Sequence, residues 1–258
     1  MSAFKVTMLA SGSKGNSALI STGKQNFLID VGISCRKLTT RLNEVGLRVE
    51  DLDAIFITHE HTDHVNGLAT FTKKYSVPIY SSELTWRAIL AKEPKIERRN
   101  CRIIGGALRC GEVEVSSFEI PHDAIDPHGY VLKCNGSKCA YITDTGFVTE
   151  TVRQAAENAD TLILEANHDV EMLKQGSYPP ILKQRILSTR GHLSNESAGW
   201  LLAILPRIPE KIILAHLSQE NNLPRLAHDT VRNILSEASL FNDARIFVAA
   251  QDRIVKDY

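Results

Sequence analysis

The chain has 258 residues, 43% of them hydrophobic and 23% charged, which suffices for a substantial buried core and is ordinary for a globular protein. Thirty Lys and Arg balance thirty Asp and Glu, so no global positive field gathers a polyanion, and no apolar run approaches the roughly 18 residues that a membrane span needs. Five cysteines without C-x-x-C spacing exclude a disulfide framework and a zinc ribbon.

In chain order, strands are expected over 4–9, Ser17–Ser21 and 26–31, joined by glycine-containing turns. Met1-Ser2-Ala3-Phe4-Lys5-Val6 runs directly into the first of them instead of into a signal sequence, so a cytoplasmic protein is expected. Ser34 caps and Gly46 ends a helix over 35–45. The run 53–58 is short, β-branched and apolar, as a buried strand is. Helices follow near 65–75 and 82–92, then strands near 101–104, 113–119, 128–134 and 138–143. The remainder reads as a helix near 149–157, the strand Thr161–Glu165, helices near 179–188 and 195–204, a strand over 211–215, a helix near 224–238 and the strand Arg245–Val248. The two halves are similar, each moving from strands to helices, and this α+β mixture does not fit a regular βαβ repeat. Without a linker, repeat or long insertion, one domain over 1–258 is expected. Cys134 and Cys139 flank a turn and can face each other across a hairpin, but read first as small buried apolar residues in reduced form.

The chemistry concentrates in His59-Glu60-His61-Thr62-Asp63-His64, at the C-terminal end of the strand over 53–58. Strand ends of this kind carry the sites of α/β sheets, because the strand fixes the backbone while loop side chains point into a crevice. Imidazole with carboxylate suits zinc, manganese or iron, and the lack of thiolate argues against a closed structural zinc site. His59 and His61 alternate along an extended segment and can share one ion; Asp63 and His64 emerge where the chain turns and can hold a second. The plain alternative is a polar loop that happens to be rich in histidine. A dinuclear centre needs further ligands, and His122, Asp144 and His216 each follow a strand-like run.

In this order and spacing, His59-x-His61-x-Asp63-His64, His122, Asp144 and His216 resemble the metallo-β-lactamase superfamily over nearly the whole chain. The resemblance implies an αββα sandwich of two mixed sheets flanked by helices. It also implies two divalent ions, one on His59, His61 and His122, the other on Asp63, His64 and His216, with Asp144 bridging them. Manganese or zinc fits this set, and iron is acceptable. Two such cations roughly 3.5–4 Å apart acidify a bridging water so that hydroxide exists near neutral pH, which means hydrolysis at phosphorus or carbon, with Asp63 orienting the water.

Arg190-Gly191-His192-Leu193-Ser194-Asn195 sets a histidine just ahead of a Ser/Asn-capped helix, whose N-terminus suits phosphate. It resembles the His-x-Ser/Thr segment with which phosphodiesterases of this superfamily hold the scissile phosphate and assist the leaving oxygen, which gives His192 that part; a capping or core histidine is the alternative. The segments Leu9-Ala10-Ser11-Gly12-Ser13-Lys14-Gly15-Asn16-Ser17, Phe27-Leu28-Ile29-Asp30-Val31-Gly32, Pro121-His122-Asp123-Ala124-Ile125-Asp126-Pro127, Glu165-Ala166-Asn167-His168-Asp169-Val170-Glu171-Met172-Leu173 and Gly191-His192-Leu193-Ser194-Asn195 are similar to the YycJ/WalJ (VicX) group. Those bacterial proteins are associated with 5'-to-3' exonuclease activity on double-stranded DNA, so the likeness implies a duplex DNA end as substrate.

Other residues have supporting readings. Asp30 is expected to hydrogen-bond backbone or a ligand imidazole. The loop with Ser13 and Asn16 either cradles a phosphate or only turns a hairpin, and Asn167, His168 and Ser194 are candidates for the cleft, whereas His128 and His228 read as bystanders. Seven Lys or Arg against two acids over 87–110, and seven against four over 181–232, offer a phosphate track if they line the cleft. Two other classes remain in view: a small-substrate hydrolase of the same fold, either cyclic phosphodiesterase or thioesterase, and a non-hydrolytic redox or regulatory protein.

Overall fold

A computed structural model describes residues 3–240 and 244–257; Met1 and Ser2, the start of the expected N-terminal run, lie outside the described residues. The chain opens with β1 (Lys5–Ala10), β2 (Ser17–Ser21) and β3 (Asn26–Ile29), which form an antiparallel meander. β4 (Ala54–Phe56), β5 (Ile79–Ser81) and β6 (Cys101–Ile103) extend it in parallel. The second sheet repeats the plan. β7 (Ala107–Cys110), β8 (Val113–Glu119), β9 (His128–Cys134) and β10 (Ser137–Ile142) run antiparallel, then β11 (Thr161–Glu165), β12 (Lys211–Ala215) and β13 (Arg245–Val248) continue in parallel. A last short strand, β14 (Val255–Lys256), returns to the free edge of β1, giving seven strands in each sheet among the described residues.

Alternation along the strands accounts for the layers. Phe27 and Ile29 of β3 point inward with Phe56 of β4, Tyr130 and Leu132 of β9 and Tyr141 of β10, forming an apolar seam between the two sheets. Phe56 and Tyr130 pack with ring centroids 5.3 Å apart, and the Tyr130 hydroxyl donates across the seam to the Ile57 carbonyl at 2.6 Å. Leu28 and Ile55 face the other way, onto α1 (Cys35–Glu44), α3 (Leu68–Lys74) and α4 (Glu83–Lys92). On the opposite outer face, Ala140, Ile142, Leu162 and Leu164 pack against α5 (Glu150–Ala156), α8 (Asn195–Ala203) and α9 (Pro224–Glu237). The order is helix, sheet, sheet, helix. Far from the ligand loop, Asp257 accepts from Lys211 Nζ and from the Val6 amide, both at 3.0 Å, and this buried pair ties the sheets together.

Differences from the sequence reading are local. β5, β7, β14 and the short helix α6 (Val170–Gln175) were not expected; each is too brief for a periodic signal. The expected helix near 65–75 is two pieces, α2 (Thr62–Val65) and α3. The break falls at Gly67, where a Cβ would lie 2.3 Å from the Ile33 carbonyl, so close packing interrupts it. Cys134 pairs with Ser137 and Cys139 with Leu132, so the two thiols are not opposite each other; all five cysteines are free. No helix among the described residues is long and apolar enough to cross a membrane.

A candidate metal centre at one rim

The parallel strands of both sheets end at the same rim, and the polar residues gather there. His59, His61, Asp63 and His64 follow β4, Asp144 follows β10, Glu165 ends β11 and His216 follows β12. Three of these corners turn through left-handed backbone in non-glycine residues: Asp30 after β3 at φ 63°, Asp144 at 58° and His216 at 56°. Such strain, typically about 1–3 kcal/mol per residue, survives where the surroundings over-determine it and tends to cluster at functional sites.

The loop is stitched down by backbone hydrogen bonds. The Asn16 amide donates to Asp63 O at 2.7 Å, Val31 N to His64 O at 2.9 Å and Gly32 N to Asn16 O at 2.9 Å. Gly32 has no room for a side chain, since its Cβ would lie 1.7 Å from Asp63 O. Gly32→Ala is therefore expected to destabilise the protein by about 3 kcal/mol through overpacking and to weaken metal binding with it. Thermal melting and metal titration check this; a variant matching wild type in both would show that the loop relaxes freely.

Imidazoles line the centre in a continuous chain. Ring centroids lie 4.6 Å apart for His59 and His61, 4.1 Å for His59 and His64, and 5.1 Å for both His59–His122 and His61–His122. His64 and His216 are 5.8 Å apart, and His192 sits 5.2 Å from each of His122 and His216. The donor atoms of His59, His61 and His122 converge within 4.8 Å, as do those of Asp63, His64 and His216, and of His59, His64 and Asp144. All seven residues expected as ligands thus meet at one place.

Of the five histidines expected as ligands, four use Nδ1 toward protein. Asp30 Oδ2 holds His64 at 2.7 Å, Glu165 Oε1 holds His216 at 2.8 Å, the Gly191 carbonyl holds His122 at 3.1 Å and Thr58 Oγ1 lies 3.0 Å from His59. That leaves Nε2 of each for the interior, the arrangement ligating imidazoles adopt. His59 Nε2, His122 Nε2 and Asp144 Oδ2 are buried without a hydrogen-bond partner among the described residues. Buried polar atoms are nearly always satisfied, so an orphaned cluster of imidazole and carboxylate is the donor set a divalent cation completes.

The electrostatics agree. Burial alone would raise Asp63 and Asp144, yet His64 and His216 hold both carboxyls well below the usual range. Burial alone would lower His216, but Asp144, Asp63 and Glu165 outweigh it and hold it at about 10. Without cations the carboxylates keep protons on these rings, and a bound cation would compensate the same carboxylate charge in their place.

Glu165 and Thr58 escaped the sequence reading. Glu165 is fully buried and receives His192 Nδ1 at 2.8 Å, His216 Nδ1 at 2.8 Å and the amides of Thr145 and Leu193, each at 2.9 Å. Burial would raise it, but His192 and His216 bring it down to about 2. The signal was present: a carboxylate ending the apolar run Thr161–Glu165 has to be paired. Thr58 Oγ1 touches both Asp30 oxygens, at 3.0 and 3.1 Å, as well as His59 and His64, and so joins rings of both expected ion sites.

A cavity of about 240 Å³ opens on the centre, with His61, Asp63 and His192 on its wall. Ser13 and Asn167 line it as expected of substrate contacts. Asn16 and Ser194 do not. Asn16 Oδ1 accepts from Gly12 N at 2.8 Å while its Nδ2 lies 3.2 Å from Asp63 Oδ2, so it braces the loop, and Ser194 Oγ caps α8 by accepting from Ser197 N at 3.1 Å. His168 is buried away from the cavity, and burial pushes its imidazole down to about 4. Of the two basic segments, 181–232 contributes Arg185, which pairs with Asp123. The 87–110 segment does not line the cavity; Arg109 faces a groove by the turn at 135–136, at the other end of β9 and β10 from Asp144.

Two mixed sheets between helices, with a histidine and aspartate cluster where their strands end, are the architecture of a metallo-hydrolase. Residues 25–217 match the Beta-lactamase superfamily domain, and the chain belongs to that superfamily. It is 43% identical to the exodeoxyribonuclease WalJ of Streptococcus pneumoniae serotype 2 strain D39, over 92% of this chain and 90% of that protein. To the exodeoxyribonuclease YycJ of Bacillus anthracis it is 38% identical, over 90% of this chain and 89% of that one. The crystal structure of the metallo-β-lactamase fold protein YhfI from Bacillus subtilis superposes with a TM-score of 0.70 at 19% identity, covering 98% of this chain and 99% of the other, a likeness of fold. The resemblance to the YycJ/WalJ group read from the sequence is borne out.

Proposed function

We propose that the chain is a cytoplasmic, single-domain, metal-dependent phosphodiesterase that degrades duplex DNA from a 5' end. His59, His61 and His122 would hold one divalent cation, Asp63, His64 and His216 a second, with Asp144 between them and manganese or zinc as the metal. The observation that carries the reading is the buried Glu165, whose Oε1 lies 2.8 Å from both His216 and His192, which joins a ligand to a histidine on the cavity wall. The exodeoxyribonuclease names of the two relatives support DNA as substrate.

Bound divalent cations supply a water acidic enough to ionise near neutral pH and positive charge against the phosphate oxygens. Asp63, partly exposed and held by Asn16 at 3.2 Å, accepts a hydrogen bond from the attacking water and aims it. His192 has its Nδ1 fixed by Glu165, so Nε2 turns to the cavity, where it binds the phosphate and gives a proton to the departing oxygen. Asn167 Nδ2 donates to the His216 carbonyl at 2.8 Å and keeps that corner in place beside the substrate.

The test is digestion of duplexes labelled at either the 5' or the 3' end by protein whose metal content has been measured. Cleavage is expected to release the 5' label first, to stop when a chelator strips the metal, and to return with manganese or zinc. The cavity is small enough to suit a low-molecular-weight ester, so a chromogenic phosphodiester is assayed in parallel. Turnover of that compound with every duplex left intact would replace the nuclease reading by the small-substrate one.

A further inference from the structure

We propose that a second cavity beside the metal centre is a nucleobase subsite in which Phe147 is the stacking surface; this rests on the phosphodiesterase reading above. The cavity, of about 420 Å³, has His122 in its wall and so adjoins the centre directly. Three loops build it: residues 121–127 after β8, 145–147 after β10 and 189–190 beyond the helix α7 (Pro180–Ile186).

Two apolar side chains of its wall stand out from the core instead of packing into it. Ile125 is 57% exposed and Phe147 44% exposed, although both sit on backbone that is firmly tied. Gly146 N donates to Pro121 O at 2.9 Å, Thr145 Oγ1 to Phe147 O at 3.0 Å and Ile125 N to Glu60 Oε1 at 3.0 Å. Gly146 packs so tightly that a Cβ there would lie 2.3 Å from the Thr189 carbonyl carbon. An exposed aromatic on a rigid support loses little freedom when a flat ring stacks on it, which is how proteins hold unpaired bases irrespective of sequence. Trp200, the other aromatic of comparable exposure among the described residues, lies on α8.

The polar groups around the platform select a base over a phosphate. Arg190 lies on the metal side, its Nε donating to His122 O at 3.2 Å, where it faces the backbone of a strand bound at the centre. Glu119 and Asp126 also line the cavity. Their carboxylates repel phosphate but accept from the exocyclic amino groups of cytosine or adenine. A nucleotide next to the scissile bond therefore meets charge of the right sign at its phosphate and an apolar face with acceptors at its base.

Stacking of one base is worth a factor of about ten or more in binding. Phe147→Ala is thus expected to lower kcat/KM on a 5'-labelled duplex about tenfold, mainly through KM, at unchanged metal content, and Phe147→Trp to restore it. Abasic sites flanking the scissile bond are expected to bring wild type down to the level of Phe147→Ala and to leave that variant unaffected. Equal digestion of intact DNA by Phe147→Ala and wild type, or an equal loss on intact and abasic DNA, overturns the subsite alone. Metal-loaded wild type that cleaves no DNA overturns the nuclease reading and the subsite with it.

Discussion

Asp63→Asn is expected to reduce phosphodiester hydrolysis by about 10³-fold, within the range assigned to a positioned acid–base group. The substitution is nearly isosteric, so the loop keeps its shape, but the charge that His64 and His216 stabilise is gone. Asn16 Nδ2, 3.2 Å from Asp63 Oδ2, then faces an amide that either opposes it with its own N–H or turns its oxygen away from the water. One group thus loses two tasks, balancing a cation and aiming the nucleophile. Elemental analysis of the variant separates them: a full metal complement with the rate lost assigns the effect to orientation, a reduced complement to ligation. Hydrolysis within tenfold of wild type at full metal content would remove Asp63 from both.

His192→Ala is expected to retain its metal and to lose about 10²–10⁴-fold in kcat, as for removal of a general acid. The loss depends on the leaving group. A nitrophenyl ester departs without protonation and suffers little, whereas a nucleoside alcohol needs the proton, so the ratio of the two rates isolates the role. Glu165→Gln is expected to reproduce the DNA defect and also to weaken metal binding, because the same carboxylate orients His216. Adding it to His192→Ala then costs little further rate at saturating metal, since side chains acting as one unit are not additive. Equal losses on both esters would assign His192 to phosphate binding instead of proton transfer.

Much of this was legible in the chain because the ligands occur in a tight motif and at the ends of apolar strands. The run His59 to His64 and the isolated His122, Asp144 and His216 could be picked out by type and spacing, the helices α1 and α9 have clear periods, and β9 and β11 read as apolar runs. What stayed hidden depends on contacts between distant segments. Glu165 reaches the centre only because β11 lies between β10 and β12. Asn16 looked like a substrate contact in a glycine-rich loop, and it is the packing of that loop on Asp63 that turns its amide inward. The basic surplus over 87–110 is real in composition but supplies no residue to the wall of the cavity on the centre, since charge counted along a chain carries no direction in space.

The left-handed corners at Asp30, Asp144 and His216 have a mechanical meaning. Each is a bent spring at the end of a strand that is otherwise relaxed, and in the bare protein only hydrogen bonds and ion pairs keep it loaded. A cation held at the Asp144 and His216 corners, with Asp30 bracing His64 behind them, would act as a rivet: drawn out, it would free the rim to slacken first while the sheets behind stay clasped.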